Sequence, residues 1–377
     1  MTREYHIVDA DAHTYTPKDM WDRWLPKKFY DRRPRLTKDE AGGDAWEFEP
    51  ALPPEPLGLT LTAGMRYEDF KWMGLKYEDI RPGCYDGKER LKDMDKDGLD
   101  AQILYSDNRP MSYFMSVKDK DFHLAAIQAY NNWLIEEFCS PDSSRLIGLG
   151  QIPNLGVETA IAELHSLKKR GVRGIILRAW PSGKPRISPE DDAFWRACQE
   201  LEMPICHHGF AGQPEQWKAT REMLMVGPVG ALSVGLGTDV IPFITQTIAT
   251  GVFDRFPDLK MGSIETQAGW VPYLLEQLDD KYFRNRTWGQ VNIRYLPSEY
   301  WSRNWFVTFI KDQYGIANRH SIGIDTMMWS TDYPHHGNDW PYSRKVIQFS
   351  FAGVQEEEKA KMIAGNAVRI FRLADRG

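Results

Sequence analysis

Cysteine is scarce in this 377-residue chain: Cys84, Cys139, Cys198 and Cys206 are the four present, and no two form a C-x-x-C pair. This excludes a disulfide framework and reads as a protein of a reducing cytoplasm. Positive charge is not in excess either. Lys and Arg number 47 against 53 Asp and Glu, for a formal net charge of −6. That balance argues against a nucleic-acid groove or a patch for anionic membranes, both of which need clustered cations. Long apolar runs are missing too. The most apolar stretch, residues 226–243, is broken by glycines, Pro228, Asp239 and Pro242, so none reaches the ~18 residues of a membrane span. The opening MTREYHIVDADAH has no apolar h-region, which is not the pattern of a secretory signal. No internal repeat and no low-complexity tract is visible.

Aromatic residues, in contrast, make up 12% of the chain, with 14 tryptophans. They predict a large core and packed loops, and a subset could wall a substrate pocket. From residue 85 onward, short apolar runs alternate with longer amphipathic segments, the signature of βα repetition on a parallel sheet. The expected strands are residues 6–13, 100–106, 146–153, 174–177, 204–208, 259–264, 305–310 and 327–330. Helices are expected over 122–138, 157–170 and 189–202. Eight strands close a (β/α)₈ TIM barrel in an α/β protein. Periodicity alone leaves an open doubly wound sheet in play, but no Gly-rich phosphate loop follows the first strand. Two stretches break the alternation. Residues 14–86, rich in Trp, Pro, Gly and charge, form a long insertion after strand 1, and residues 209–240, rich in Gly and Met, follow strand 5. Loops after barrel strands lie on the catalytic face, so both are expected as lids, caps or subunit contacts of one domain spanning 1–377.

The polar residues with chemical potential stand at strand ends. In strand 1, VDADAHT, alternation places Asp9, Asp11 and His13 on one face. Two carboxylates and an imidazole are costly to bury unless neutralised, and a divalent cation is the simplest neutraliser. PICHHG ends another strand in His207 and His208, of which one should face inward. KMGSIET ends in Glu265, and MWSTDYPHH carries Asp332, His335 and His336. An Asp, His or Glu at the ends of strands 1, 5, 6 and 8 would converge on one point above a barrel. His335 is near enough to Asp332 to ligate a second metal or act as a general acid, whereas His336 reads as a loop hydrogen bonder. His123, His165 and His320 are expected at the surface or satisfied. Arg109 and Arg178, following strand ends, could hold a substrate carboxylate through paired hydrogen bonds.

With these motifs in view, the chain resembles the amidohydrolase-related metal-dependent enzymes of TIM-barrel fold, a group that includes aminocarboxymuconate-semialdehyde and resorcylate decarboxylases. The resemblance runs through VDADAHTYTPKDMW, YDGKERLKDMDKDGLDAQILYS, YNNWLIEEF, RLIGLGQIP, MPICHHG, FDRFPDLKMGSIETQAGWVPYLLEQLD, WSTDYPHHGNDWP and GNAVRIF, nearly the whole chain. It implies Asp11 and His13 as first-strand metal ligands, His208 in preference to His207, and Asp332 as a ligand that also shuttles a proton. Two departures stand out. Glu265 occupies the place of a histidine in the familiar decarboxylases, and Arg178 rather than a lysine follows residues 174–177, which argues against a carboxylated-lysine bridge.

The metal set Asp11, His13, His208, Glu265 and Asp332 is oxygen-rich, which suits Mn, Fe or Mg, with Zn also compatible. One ion is expected, with two as the variant. The leading reading is a metal-dependent hydrolase or decarboxylase-type C–C lyase acting on a small organic acid or amide, with Asp332 as general acid or base and His335 and Arg178 orienting the substrate. A second reading is a dinuclear non-haem iron or manganese–iron oxygenase with Glu265 bridging, and a third is a non-catalytic partner subunit. The expected partners are a small-molecule substrate and a second copy of the chain, as a homodimer or related oligomer, with no nucleic acid and no membrane.

Overall fold

The computed structural model describes residues 3–49, 53–208, 232, 237 and 240–374, with the side chains of residues 108 and 109 left out. Nearly all of the expected 209–240 insertion therefore lies outside the described residues. The chain divides into two compact units: Ile7–Leu149 with Thr331–Phe349, and Gly150–Ser330 with Ser350–Gly377 and Met1–His6.

The first unit carries a parallel sheet of β1 (Val8–Thr14), β5 (Ala101–Ser106) and β6 (Leu146–Gly148), in the order β1-β5-β6. Val8 lies opposite Ala101 and His13 opposite Tyr105, with an irregularity in register between Asp9 and Ala12. Every residue of β1 is buried. The helix Gly87–Asp97 follows the pattern its sequence encodes. Asp86 caps it by accepting from the amides of Lys88 and Glu89, and Gly98 ends it in the left-handed conformation at φ +78°. Asp119 caps the helix Lys120–Trp133 in the same way, and the chain continues through a π-type turn over Leu134–Phe138. The 14–86 insertion folds on a small antiparallel sheet that periodicity did not anticipate: β2 (Arg35–Lys38), β3 (Asp44–Glu47) and β4 (Glu55–Pro56). Its strands are two to four residues long, too short to show an alternating pattern.

The second unit holds a six-stranded parallel sheet of β7 (Gly150–Gln151), β8 (Ile175–Ile176), β9 (Ile205–His208), β10 (Met261–Ile264), β11 (Trp305–Phe309) and β12 (Met327–Trp329), each neighbour following in chain order. All of these strands are buried, and β8, β10, β11 and β12 are largely apolar, as strands of covered parallel sheets are. Helices Val157–Lys169, Asp192–Glu200, Ile241–Ala249 and Val271–Asn285 come between them. Gly262 is required on β10: a Cβ there would lie 2.0 Å from the ring of Phe306 on β11. The expected strand over 146–153 is two short strands, β6 pairing with β5 and β7 with β8. Among the described residues, no helix is long and apolar enough to cross a membrane.

Candidate active site

In the first unit, the end of β1 meets the turn that follows β12. The amide of Asp332 donates to Asp11 O at 2.8 Å and that of His13 to Tyr333 O at 2.6 Å, with a parallel bridge between Ala12 and Tyr333. This short ladder brings two distant motifs together. His13 Nε2 lies 3.5 Å from Asp11 Oδ1 and 3.4 Å from Asp332 Oδ1. His335 Nδ1 lies 2.8 Å from Asp332 Oδ1, and its ring stacks on that of His13 with centroids 3.9 Å apart. The Nδ1 of His13 is 3.3 Å from Ser106 O, which leaves Nε2 directed at the carboxylates.

Asp9 behaves differently from the strict alternation expected of it. The irregularity in β1 delivers its carboxylate to other donors: the amide of Thr331 at 2.8 Å, the Thr331 hydroxyl, and Gln102 Nε2 at 2.9 Å. Asp9 is thus fully engaged by protein hydrogen bonds, whereas Asp11 and Asp332 face imidazoles. His336 donates its amide to Leu59 O and sets its ring edge-on to Phe70, a structural loop role.

In the second unit the two histidines of β9 part company. His207 Nδ1 lies 3.0 Å from Leu177 O, and its ring stacks at 3.9 Å on Phe243, which in turn stacks on Trp180 at 4.7 Å. Burial pushes its pKa down to about 3, so it is a neutral core residue. His208 instead places Nε2 3.5 Å from Glu265 Oε2. Glu265 is held by its own amide, which donates to Thr308 Oγ1 at 2.8 Å. Arg178 is buried, donating from Nε to Gln151 Oε1 at 3.2 Å and from Nη1 to His208 O at 3.4 Å. Both strand-end carboxylates have left-handed backbones, φ +57° at Glu265 and +60° at Asp332. Such a conformation costs a residue with a Cβ roughly 1–2 kcal/mol, a strain tolerated where it aims a side chain.

The remaining expected residues fall outside these constellations. Arg109 lies in the helix Asn108–Ser116, and its side chain is outside the described residues. His6 is exposed beside Glu4, and His320, also exposed, pairs with Glu358. His123 corrects the expectation of a surface or satisfied histidine. It is fully buried, neither ring nitrogen has a hydrogen-bond partner among the described residues, and burial pushes its pKa down to about 4. Its spacing on an amphipathic helix gave no sign of this, because Phe122 and Ala126 beside it are also buried. A small pocket in the first unit is lined by Tyr15, Trp21, Trp46, Phe48, Glu55 and Asp107, among others. Sequence reading singled out none of these lining residues. The Trp-rich composition of the insertion was the available signal.

The donors that could hold a divalent cation are Asp11, His13, Asp332 and His335 in the first unit and His208 and Glu265 in the second. The electrostatics of the first group fit a cation. Burial raises the pKa of Asp11 to about 8 with His335 opposing it. Burial, reinforced by Asp11 and Asp9, raises Asp332 well above the usual carboxylate range. Such carboxylates are unstable as anions without a compensating charge. Oxygen and imidazole donors together match Mn, Fe or Zn.

The amidohydrolase family model matches residues 8–373. A 2-amino-3-carboxymuconate-6-semialdehyde decarboxylase of Dictyostelium discoideum is 23% identical over 310 residues, 80% of each chain. An amidohydrolase from Mycobacterium avium subsp. paratuberculosis K-10 superposes over 98% of each chain with TM-score 0.76 at 19% identity. A dihydroxybenzoic acid decarboxylase from Polaromonas sp. JS666, solved with manganese and the inhibitor 2-nitroresorcinol, covers 99% of this chain and 98% of its own, with TM-score 0.67 at 17% identity. With the family match spanning almost every residue and the fold shared end to end, this chain is an enzyme of the amidohydrolase family, built on its (β/α)₈ TIM barrel.

Proposed function

We propose that this enzyme is a metal-dependent decarboxylase acting on a small aromatic or related organic acid, with Asp11, His13, His208, Glu265 and Asp332 as the metal-ligating set. The observation that carries the reading is the arrangement of His13 against Asp11, Asp332 and His335 at one buried strand end. The decarboxylases among its relatives, one of them solved with manganese, support the reaction class. When bound, the divalent ion supplies Lewis acidity that polarises a substrate oxygen. Asp332 is the general acid or base at the reacting carbon, and His335, whose Nδ1 lies 2.8 Å from Asp332 Oδ1, replenishes or removes its proton. Arg178 and Arg109 hold a substrate carboxylate. The 14–86 insertion is the lid of a single domain. The protein works in the cytoplasm as a homodimer, the location in keeping with its four free cysteines.

The carboxylate-rich donor set with Glu265 in it motivates the second reading, a dinuclear iron or manganese–iron oxygenase. Elemental analysis of anaerobically purified protein separates the two, combined with CO₂ release and O₂ uptake on hydroxybenzoates. The decarboxylase predicts one ion per chain, bound more weakly in Glu265→Ala, and CO₂ release without O₂ uptake. Two ions including iron, one of them lost in Glu265→Ala, together with O₂ consumption, would establish the oxygenase instead.

A further inference from the structure

Arg90 has no place in the chemistry above, yet it is among the largest fully buried side chains in the molecule. Burying a guanidinium costs several kcal/mol unless its donors and charge are met. Among the described residues no carboxylate forms an ion pair with it. Its donors go elsewhere: Nε to Gly83 O at 2.6 Å, Nη1 to Gln102 Oε1 at 3.1 Å, and Nη2 to His13 O at 2.6 Å. Its cationic carbon sits 4.3 Å over the ring of Tyr333. One side chain therefore touches the end of β1, strand β5, the segment before its own helix and the turn that carries Asp332. Gly83 allows this approach, since a Cβ there would stand 2.3 Å from Asp93 Oδ2 and 3.1 Å from the Tyr333 hydroxyl.

The contacts continue as a relay. Gln102 accepts from Arg90 and donates from Nε2 to Asp9 Oδ2 at 2.9 Å. Asp9 accepts from the amide and the hydroxyl of Thr331, the residue before Asp332. The relay thus grips both strands of the ladder on which Asp11, His13 and Asp332 stand. Through His13 it holds a backbone carbonyl, and through Asp9 it holds the turn.

We infer that Arg90, acting through Gln102 and Asp9, is the positioning residue that sets the spacing of Asp11, His13 and Asp332 for a divalent cation. This rests on the functional reading above only in assuming that these three residues bind a metal. The fork matters as much as the charge. A lysine at position 90 could not reach Gly83, Gln102 and His13 at once.

The test measures Mn²⁺ affinity by chelator competition and the spectrum of bound Mn²⁺ by electron paramagnetic resonance. Thermal unfolding of the metal-free protein is followed in parallel. The proteins are the wild type, Arg90→Lys, Gln102→Leu and the control Asp97→Asn. Asp97 is buried on the same helix as Arg90 and accepts from Ser343, outside the relay. The expected result is a loss of Mn²⁺ affinity of roughly 10- to 100-fold in Arg90→Lys and about tenfold in Gln102→Leu. Both should show an altered Mn²⁺ spectrum, while Asp97→Asn loses thermal stability with wild-type affinity and spectrum. If Arg90→Lys does not fold, Gln102→Leu decides. Wild-type affinity in the relay variants, or an equal loss in Asp97→Asn, overturns the inference. A wild type that does not bind Mn²⁺ overturns the functional reading as well.

Discussion

Two strand ends in this chain bury adjacent polar residues, and they handle them in different ways. At β1, Asp9, Asp11 and His13 are all buried, and each meets polar or charged partners: Thr331 and Gln102 for Asp9, His13 for Asp11, Asp332 for His13. At β9, His207 and His208 are equally buried, but His207 is packed on Phe243 as a neutral ring and His208 faces Glu265. Burial therefore does not mark a functional histidine. What distinguishes His13 and His208 from His207 is a carboxylate opposite Nε2, the arrangement a cation needs.

The widest separation is expected from Asp332→Asn, which keeps the size of the side chain and removes its acid–base chemistry. Decarboxylation should fall by about 10³-fold in steady-state CO₂ release while the fold is retained by circular dichroism. An effect below about tenfold would mean that the proton is handled elsewhere.

Next comes the contrast within β9. His208→Ala should weaken Mn²⁺ binding by at least about 100-fold, as loss of a ligand outweighs loss of an outer partner. His207→Leu should leave binding within about threefold, because its ring contributes packing and one hydrogen bond to Leu177 O, worth about 1 kcal/mol. Isothermal titration of both variants checks the pair. Equal losses would remove the distinction drawn between the two histidines.

The smallest effect is in pH, where the two strand ends act at opposite limits. Burial raises Asp9 to about 7 and Asp11 to about 8. Between about pH 4 and 8 the metal-free native chain then binds more protons than the unfolded chain, so its stability falls as pH rises across that window. His207, depressed to about 3, works the other way: the unfolded chain binds more protons below about pH 6.5, and stability is lost as pH falls. Thermal scans of metal-free protein should show midpoints dropping by several degrees from pH 6 to 8.5. Added Mn²⁺ should flatten that decline, since it favours the ionised carboxylates. His207→Leu should flatten the acid limb alone.

Much of this was legible in the residues. Strands over 205–208, 261–264 and 305–309 lie within the apolar runs that predict them, because a covered parallel strand has few ways to be written other than as a short apolar run. The helix Gly87–Asp97 carries its own start and stop in Asp86 and Gly98. The candidate residues were visible because Asp, His and Glu at the ends of apolar strands are anomalous. The small sheet of the 14–86 insertion was not legible, since its register depends on pairing between strands too short to carry a period.

The sequence by itself determined the family, the βα alternation and the polar residues placed at strand ends, since these depend on local propensity and on motifs contiguous in the chain. Tertiary structure alone decided which of those residues meet. Only packing sent His207 under Phe243, turned the Asp9 carboxylate to Thr331 through an irregularity in β1, and put Arg90 on the carbonyl of His13, 77 residues away. Burial and hydrogen-bond partnership are properties of the whole assembly of segments, and no local pattern encodes them.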